Sequence, residues 1–408
     1  MTHRALGVRA ERVVAHGRAP RGFLIYGGEA TPWTAYVNGG AVPRGAEFAR
    51  VVKELAERAG IDASPITEPR PRDRRGELLE DFFTLCRDEL SSPRAGAARD
   101  YLERRRIPRA DIDRTGLGLV PEATRSESAL RAMGHSAFDI AGAGVLADSR
   151  WPGRIAGAWR DEYGRIGTMW TRALQESNAG SRYLYLRGGR RAGLPPYGLS
   201  EALSQRGTAQ AEVVLVEGFF DVHQLRARGI ANVAALGGTG ARSEMFERLA
   251  RLGIERVTLC LDRDAAGRAA TAKAVEEAAR ARRSPSVFVV DPERLAPAKD
   301  PDALVKERGS DAWAQLIATS SCGIVWRAVD LAANVAPSSR PSKRREALER
   351  AGKWLGSLPR RLALEQEDAV RAVAERCGYS PTAVDRAFKA RFWPEPPGRR
   401  IEEAGRGL

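Results

Sequence analysis

Short apolar runs separated by amphipathic stretches give residues 213–290 a regular rhythm. Val213-Val214-Leu215-Val216 and Val257-Thr258-Leu259-Cys260-Leu261 are brief, largely β-branched and apolar at almost every position. Runs of that kind predict strands buried on both faces of a parallel sheet. Between them the pattern predicts a helix from Asp221 to Arg228 stopped by Gly229, a strand at Ala231–Leu236, and a helix from about Ser243 to Leu252 closed by Gly253. A long helix over Gly267–Arg283 and a fourth strand at Ser286–Val290 follow. Strands alternating with helices imply right-handed crossovers between parallel strands.

The flanks read differently. Residues 77–206 mix helices with short strands. Residues 311–392 read as helical throughout, interrupted by the Pro/Ser/Arg-rich stretch 337–344. Residues 64–76 are rich in Pro, Arg and Asp and read as a linker, and residues 393–408 as a polar tail. In residues 1–63, Gly22–Tyr26, Thr34–Val37 and Gly39-Gly40 look like hairpin strands and turns, ahead of a helix over Glu47–Gly60. The expected fold class is α/β within a multi-domain α+β chain. A parallel sheet at 207–310 is flanked by an α+β subdomain at 77–206 and a helical bundle at 311–392.

Each of the two strongest strands ends abruptly in carboxylate. Val216 runs into Glu217, and Leu261 runs into Asp262-Arg263-Asp264. In open α/β sheets the crevice beyond the carboxyl ends of the strands is where ligands bind. Asp262 and Asp264 are alternate residues, which share one side of an extended stretch. Asp300 and Asp302 repeat that spacing, and Asp221 lies one helical turn after Glu217. Crowded carboxylates repel unless a cation neutralises them, and hard oxygen ligands suit Mg²⁺ or Mn²⁺. Glu217, Asp221, Asp262, Asp264, Asp300 and Asp302 are therefore the candidate metal ligands, with Glu217, Asp262 and Asp264 as the catalytic set. Asp262 alone could be no more than the cap of the helix at Gly267, but five acids at adjacent strand ends exceed what capping needs. Gly237-Gly238-Thr239-Gly240 is either a phosphate cradle at a helix N-terminus or a tight turn between strand and helix.

Arg172, Arg182, Arg187, Arg190 and Arg191 interleave with Trp170, Tyr183 and Tyr185. Guanidinium groups for phosphates and rings for bases suit single-stranded DNA. The alternative is a strand with aromatics in the core and arginines in water. Net charge sharpens the picture. The chain carries +14, yet residues 211–310 hold 16 Lys/Arg against 15 Asp/Glu. The surplus lies to either side, 9 against 4 in 151–206 and 16 against 10 in 337–408. A nearly neutral acidic site flanked by basic segments suits a polyanionic partner; an arginine-rich composition inherited from GC-rich coding would also raise the total.

Composition excludes several classes. No stretch approaches the apolar length that spans a bilayer. Arg, His and Glu interrupt the first thirty residues, so no secretory signal is expected. Cys86, Cys260, Cys322 and Cys377 lack pairing spacings, which points to a reduced, cytoplasmic compartment. With no cysteine in residues 1–63 and only His3 and His16 there, no zinc is expected. No Walker lysine loop or dinucleotide fingerprint occurs.

The acidic pattern resembles the TOPRIM domain of bacterial primases, topoisomerases and some nucleases, and in more detail the catalytic core of DnaG-type primases. Glu217–Val222 (EGFFDV) is similar to that family's glutamate motif, Asp262–Arg268 (DRDAAGR) to its paired-aspartate motif, and Lys299–Val305 (KDPDALV) to its later acidic turn. Ala97–Ile107 and Leu117–Pro121 resemble the start of the primase core, Trp151–Gly167 its strand-rich stretch, and Thr171-Arg172 with Arg182-Tyr183-Leu184 its basic motif. The resemblance runs from about residue 77 to 392. It departs after Tyr183, where Tyr185-Leu186 stand near the place of the family's usual asparagine, and Arg182 replaces its usual lysine. It implies a DNA-directed RNA polymerase that makes short RNA primers, with single-stranded DNA as template and ribonucleoside triphosphates as substrates. Arg172, Arg182 and Tyr183 would contact nucleotide or DNA. A replicative helicase would be a further partner, and the cytoplasm, at the nucleoid, the location. The first 63 residues would be either a zinc-ribbon remnant without metal or an unrelated hairpin and helix. The tail is shorter than the helicase-binding domain that ends full-length bacterial primases. A TOPRIM nuclease or topoisomerase-like enzyme and a non-catalytic DNA-binding scaffold remain as alternatives.

Overall fold

The structure is a computed structural model. It describes residues 73–175, 181–189, 193–204, 212–238 and 240–393, together with the backbone of two short strands. The chain divides into two compact units near Leu78.

In the first unit, β1 (Val13–Ala15) pairs antiparallel with β2 (Phe23–Ile25), Val13 lying opposite Ile25. The expected strand at 22–26 matches β2, but its partner is β1, which precedes it. The stretches 34–37 and 47–60, with the zinc question at His3 and His16, lie outside the described residues.

Helix α1 (Arg74–Ser91) starts inside the expected linker and contains the division at Leu78, and α2 (Gly96–Arg104) and α3 (Ile112–Thr115) follow in the second unit. Strand β3 (Gly118–Leu119), helices α4 (Ala123–Ala132) and α5 (Ala137–Ala143), and strands β4 (Ile155–Arg160), β5 (Ile166–Arg172) and β6 (Tyr183–Tyr185) follow. The four strands form one antiparallel sheet in the order β3-β4-β5-β6. After α6 (Leu199–Ser204) come β7 (Glu212–Val216), α7 (Phe219–Ala227), β8 (Val233–Ala235), α8 (Ser243–Arg251), β9 (Arg256–Leu259), α9 (Ala265–Arg280) and β10 (Ser286–Val289). Each expected strand and helix of this stretch is present, with ends displaced by up to three residues. The chain closes with α10 (Pro301–Ala318), β11 (Ser321–Cys322), α11 (Gly323–Leu331), α12 (Pro341–Gly356), α13 (Ala363–Cys377) and α14 (Pro381–Arg391).

The five-stranded sheet has the order β11-β10-β9-β7-β8. Strands β7 to β10 are mutually parallel, and β11 runs antiparallel to β10. Strand β11 corrects the expectation that residues 311–392 are helical everywhere except the stretch 337–344. Two residues carry no readable periodicity, and their strand conformation comes from the free edge of β10. Helix α10 is itself broken at Gly309, whose φ of +80° no helix residue adopts.

The apolar runs are buried on both faces, by strict alternation. Val213, Leu215, Val257 and Leu259 join one core with Leu355, Val373 and Phe388 of the helical bundle. Val214, Val216, Val233, Ala235 and Cys260 join the other, with Leu102, Trp159, Trp170 and Phe219 of the N-terminal part. The sheet is thus the middle layer, and its carboxyl ends are held from both sides.

Candidate active site

Glu217 follows the last residue of β7 and is half-buried. The chain turns into α7 at once, with Gly218 as the cap position. The Gly218 N–H donates to Asp221 Oδ2 at 2.8 Å, which turns that carboxylate back over the strand end. Three residues past the end of β9, Asp262 enters the same crevice. Asp264 caps α9, its Oδ1 accepting from the Gly267 N–H at 2.7 Å. Asp300 does the same for α10, accepting from the Ala303 N–H at 2.7 Å. A helix N-terminus favours negative charge, so capping and the gathering of acids coincide. Gly267 permits this turn: a Cβ there would stand 2.1 Å from the Asp262 carbonyl oxygen.

The cap of α9 is therefore Asp264 and not Asp262. Asp262 Oδ1 is buried and has no hydrogen-bond partner among the described residues. Burial first, then the carboxylates of Glu217, Asp300 and Asp264, push the Asp262 carboxyl up to about 7 against the opposing Lys299 ammonium. Burial and the Asp262 carboxylate push Asp221 up to about 8, against the hydrogen bond from Gly218. Glu217 is raised by burial and by Asp264. Each acid disfavours the charge of its neighbours. Among the described residues no three His, Cys, Asp or Glu side chains stand close enough to hold one ion, so the carboxylates share a field without converging. An orphaned buried oxygen within an all-carboxylate set fits a hard divalent cation.

Asp302 is placed differently. Its carboxylate is buried, with Oδ1 2.9 Å from Arg228 Nη1 and Oδ2 3.5 Å from Arg106 Nη1. Two guanidinium groups already neutralise it. Replacing Asp302 with Ala strands both arginines and is expected to cost about 2–4 kcal/mol of stability in the presence of a chelator. Replacing Asp300, whose loss removes one cap, is expected to cost about 1 kcal/mol. Urea denaturation of the two variants checks this; equal losses would reject the ion-pair role of Asp302.

The basic motif lies against the acidic one through α7. Arg172 and Tyr183 are directly opposed on β5 and β6. Arg172 is 5% exposed. Its Nη1 donates to Tyr183 Oη at 2.6 Å and its Nε to Tyr101 Oη at 2.5 Å. The guanidinium lies 5.0 Å from the ring centres of both Tyr183 and Phe220. Phe219 stacks on Trp170 at 4.8 Å, with the rings 5° from parallel. The phenylalanines of the Glu217–Val222 motif thus pack on the strand that carries Arg172. Arg182 and Arg187 are exposed, whereas the side chains of Arg190 and Arg191 lie outside the described residues. Tyr101, Arg106 and Arg228 were not singled out by sequence, because nothing local marks them; only their distant partners do. Arg154 also escaped notice: it donates to Thr171 Oγ1 and to the carbonyls of Ser181 and Arg182, holding the chain that enters β6. The turn at Gly237 is filled rather than open, since a Cβ there would meet the rings of Phe219 and Trp159.

Residues 214–305 match the profile of the Toprim-like family. The DNA primase of Pseudomonas aeruginosa is 30% identical over 306 residues, covering 65% of this chain and 42% of that one. The DNA primase of Deinococcus radiodurans is 28% identical over 355 residues, covering 83% and 58%. A DnaG primase catalytic domain solved with single-stranded DNA superposes with a TM-score of 0.60 at 23% identity, covering 76% of this chain and 98% of that one. The chain shares the catalytic-core fold of bacterial DnaG-type primases. It spans roughly half the length of the curated primases it matches, 42% and 58% of these two. No helix among the described residues is long and apolar enough to cross a membrane.

Proposed function

We propose that this chain is a DNA primase, a DNA-directed RNA polymerase that joins ribonucleotides on a single-stranded DNA template. The observation that carries the reading is Asp262, a buried carboxylate with an unpartnered oxygen, set among Glu217, Asp264 and Asp300 at the strand ends of a Toprim-like sheet. Asp262, with its open oxygen, would hold Mg²⁺ or Mn²⁺ together with Glu217, Asp264 and Asp300 once the ion's charge draws these separated carboxylates inward. Such an ion, when bound, neutralises charge developing on the phosphate oxygens. The chain's own groups do the rest. Glu217, its carboxyl raised by burial, is the group to take the proton of the attacking 3′-hydroxyl at its carboxylate. Asp221 braces the Gly218 turn, and Asp302 anchors the Asp300 turn on Arg228 and Arg106. Arg172 and Tyr183 form the wall behind α7, and Arg182, exposed beside them, meets the template. Ribonucleoside triphosphates are the second substrate, and a replicative helicase is the partner that this reading calls for at the nucleoid.

The test incubates the chain with single-stranded DNA, labelled ribonucleotides and Mg²⁺ or Mn²⁺. Labelled oligoribonucleotides longer than a dimer are expected. Shortened DNA would show a nuclease instead, and binding without either product a scaffold.

A further inference from the structure

Two cations stand inside the acidic loops without a hydrogen bond or close ion pair to them, the Lys299 ammonium acting on Asp262 through its field alone. Arg263 lies between Asp262 and Asp264, and Lys299 immediately precedes Asp300. The Arg263 N–H donates to the Lys299 carbonyl at 2.9 Å, so the two loops are joined at these very residues. Lys299 is exposed and Arg263 partly so. Among the described residues neither side chain makes a hydrogen bond or an ion pair, although Arg263 stands between two carboxylates in sequence and Lys299 precedes one. The neighbouring arginines behave otherwise. Arg228 and Arg106 are engaged by Asp302, Arg268 by Asp330, and Arg327 by Glu276 and Asp330.

Cations fixed by their backbones at the mouth of a carboxylate crevice raise the local concentration of anions there. They are also in place to form charge-assisted hydrogen bonds with phosphate oxygens, bidentate ones in the case of arginine. Their closeness selects the kind of anion. The phosphates of a DNA strand are spread along a track, which a run of separated cations follows. A guanidinium and an ammonium on two residues joined by one backbone hydrogen bond form a single spot. That spot suits phosphates linked directly to one another. We infer that Arg263 and Lys299 bind the terminal phosphates of the incoming nucleoside triphosphate, a role that rests on the primase reading above. Arg263 and Lys299 take the outer phosphates, leaving the phosphate nearer the sugar to the carboxylate crevice and to any divalent cation it would hold.

The test measures binding of ATP, inorganic tripolyphosphate, AMP and an oligodeoxythymidine to the full chain by calorimetry in Mg²⁺. Wild type is compared with Arg263→Ala, Lys299→Ala and the double variant. Each lost charge-assisted contact is expected to weaken ATP and tripolyphosphate binding by about tenfold, and both together by up to ~100-fold. AMP and oligonucleotide affinities are expected to stay within about twofold. Arg263→Lys and Lys299→Arg should retain most of the affinity and exclude misfolding as the cause. ATP binding that survives the double substitution overturns the assignment, and so does a loss shared equally by the oligonucleotide, which would place both residues on the DNA track. A wild-type chain that binds oligonucleotide but neither ATP nor tripolyphosphate would remove the primase reading itself.

Discussion

Replacing Asp262 with Asn is expected to abolish primer synthesis while raising the stability of the metal-free protein. The two effects have one cause. The Asp262 carboxyl is pushed up to about 7 because burial and three neighbouring carboxylates oppose its charge. Its folded value lies above the ordinary carboxylate value, so the folded state holds the proton more tightly than the unfolded state does. Stability is therefore highest below about pH 4 for this group and falls as the pH rises from there through about 7. An asparagine removes that loss. Allowing for solvent screening of a partly exposed group, the gain at pH 8 in a chelator is about 1–2 kcal/mol. Thermal melts at pH 5 and pH 8 should show a clearly larger advantage of the variant at the higher pH, since only part of the loss has accrued at pH 5. Synthesis should fall by at least ~10³-fold, the scale of losing preorganised charge stabilisation at a reacting phosphate. A variant that melts lower than wild type at pH 8, or that still makes primers at a comparable rate, would reject the site assignment. A residue kept for structure does not behave this way, because its removal destabilises.

Replacing Arg172 with Ala is expected to act on stability and not on the salt dependence of DNA binding. Its guanidinium is buried and bonded to two tyrosine hydroxyls. Hydrogen bonds from charged donors contribute about 1.5–3 kcal/mol each, so losing both should cost about 3–5 kcal/mol and lower the midpoint of urea unfolding accordingly. Tyr183→Phe, which removes one hydroxyl and little volume, should lose roughly half of that. A residue that neutralises a DNA phosphate contributes about −0.7 to the log–log salt slope on single strands. Arg182→Ala and Arg187→Ala should each flatten the slope by about that amount, since both side chains are exposed. Under conditions where it remains folded, the Arg172 variant should keep the wild-type slope. A flattened slope with unchanged stability would put Arg172 on the DNA and disprove the buried role.

The parallel sheet and its helices were legible in the sequence because each strand is a short apolar run and each connection carries its own stop signal. Val213–Val216 announces burial on both faces, and Val213 with Leu215 and Val214 with Val216 do enter two separate cores. Carboxylates at successive strand ends were legible for the same reason: position along a strand fixes which end a residue reaches. What each carboxylate does there was not. Asp264 and Asp262 share spacing and chemistry, yet one caps a helix and the other is left without a partner, a difference set by where α9 turns over the strand end at Gly267. Asp300 and Asp302 look equivalent along the chain, but Asp302 meets two arginines from distant segments. Arg172 reads as a surface cation until β6 and α7 close over it. Local periodicity records which residues are apolar and how far apart they stand, and that decides the elements. Which charges are paired, buried or left open depends on contacts between residues far apart in sequence, and only the packed sheet, with a layer on each face, brings those together.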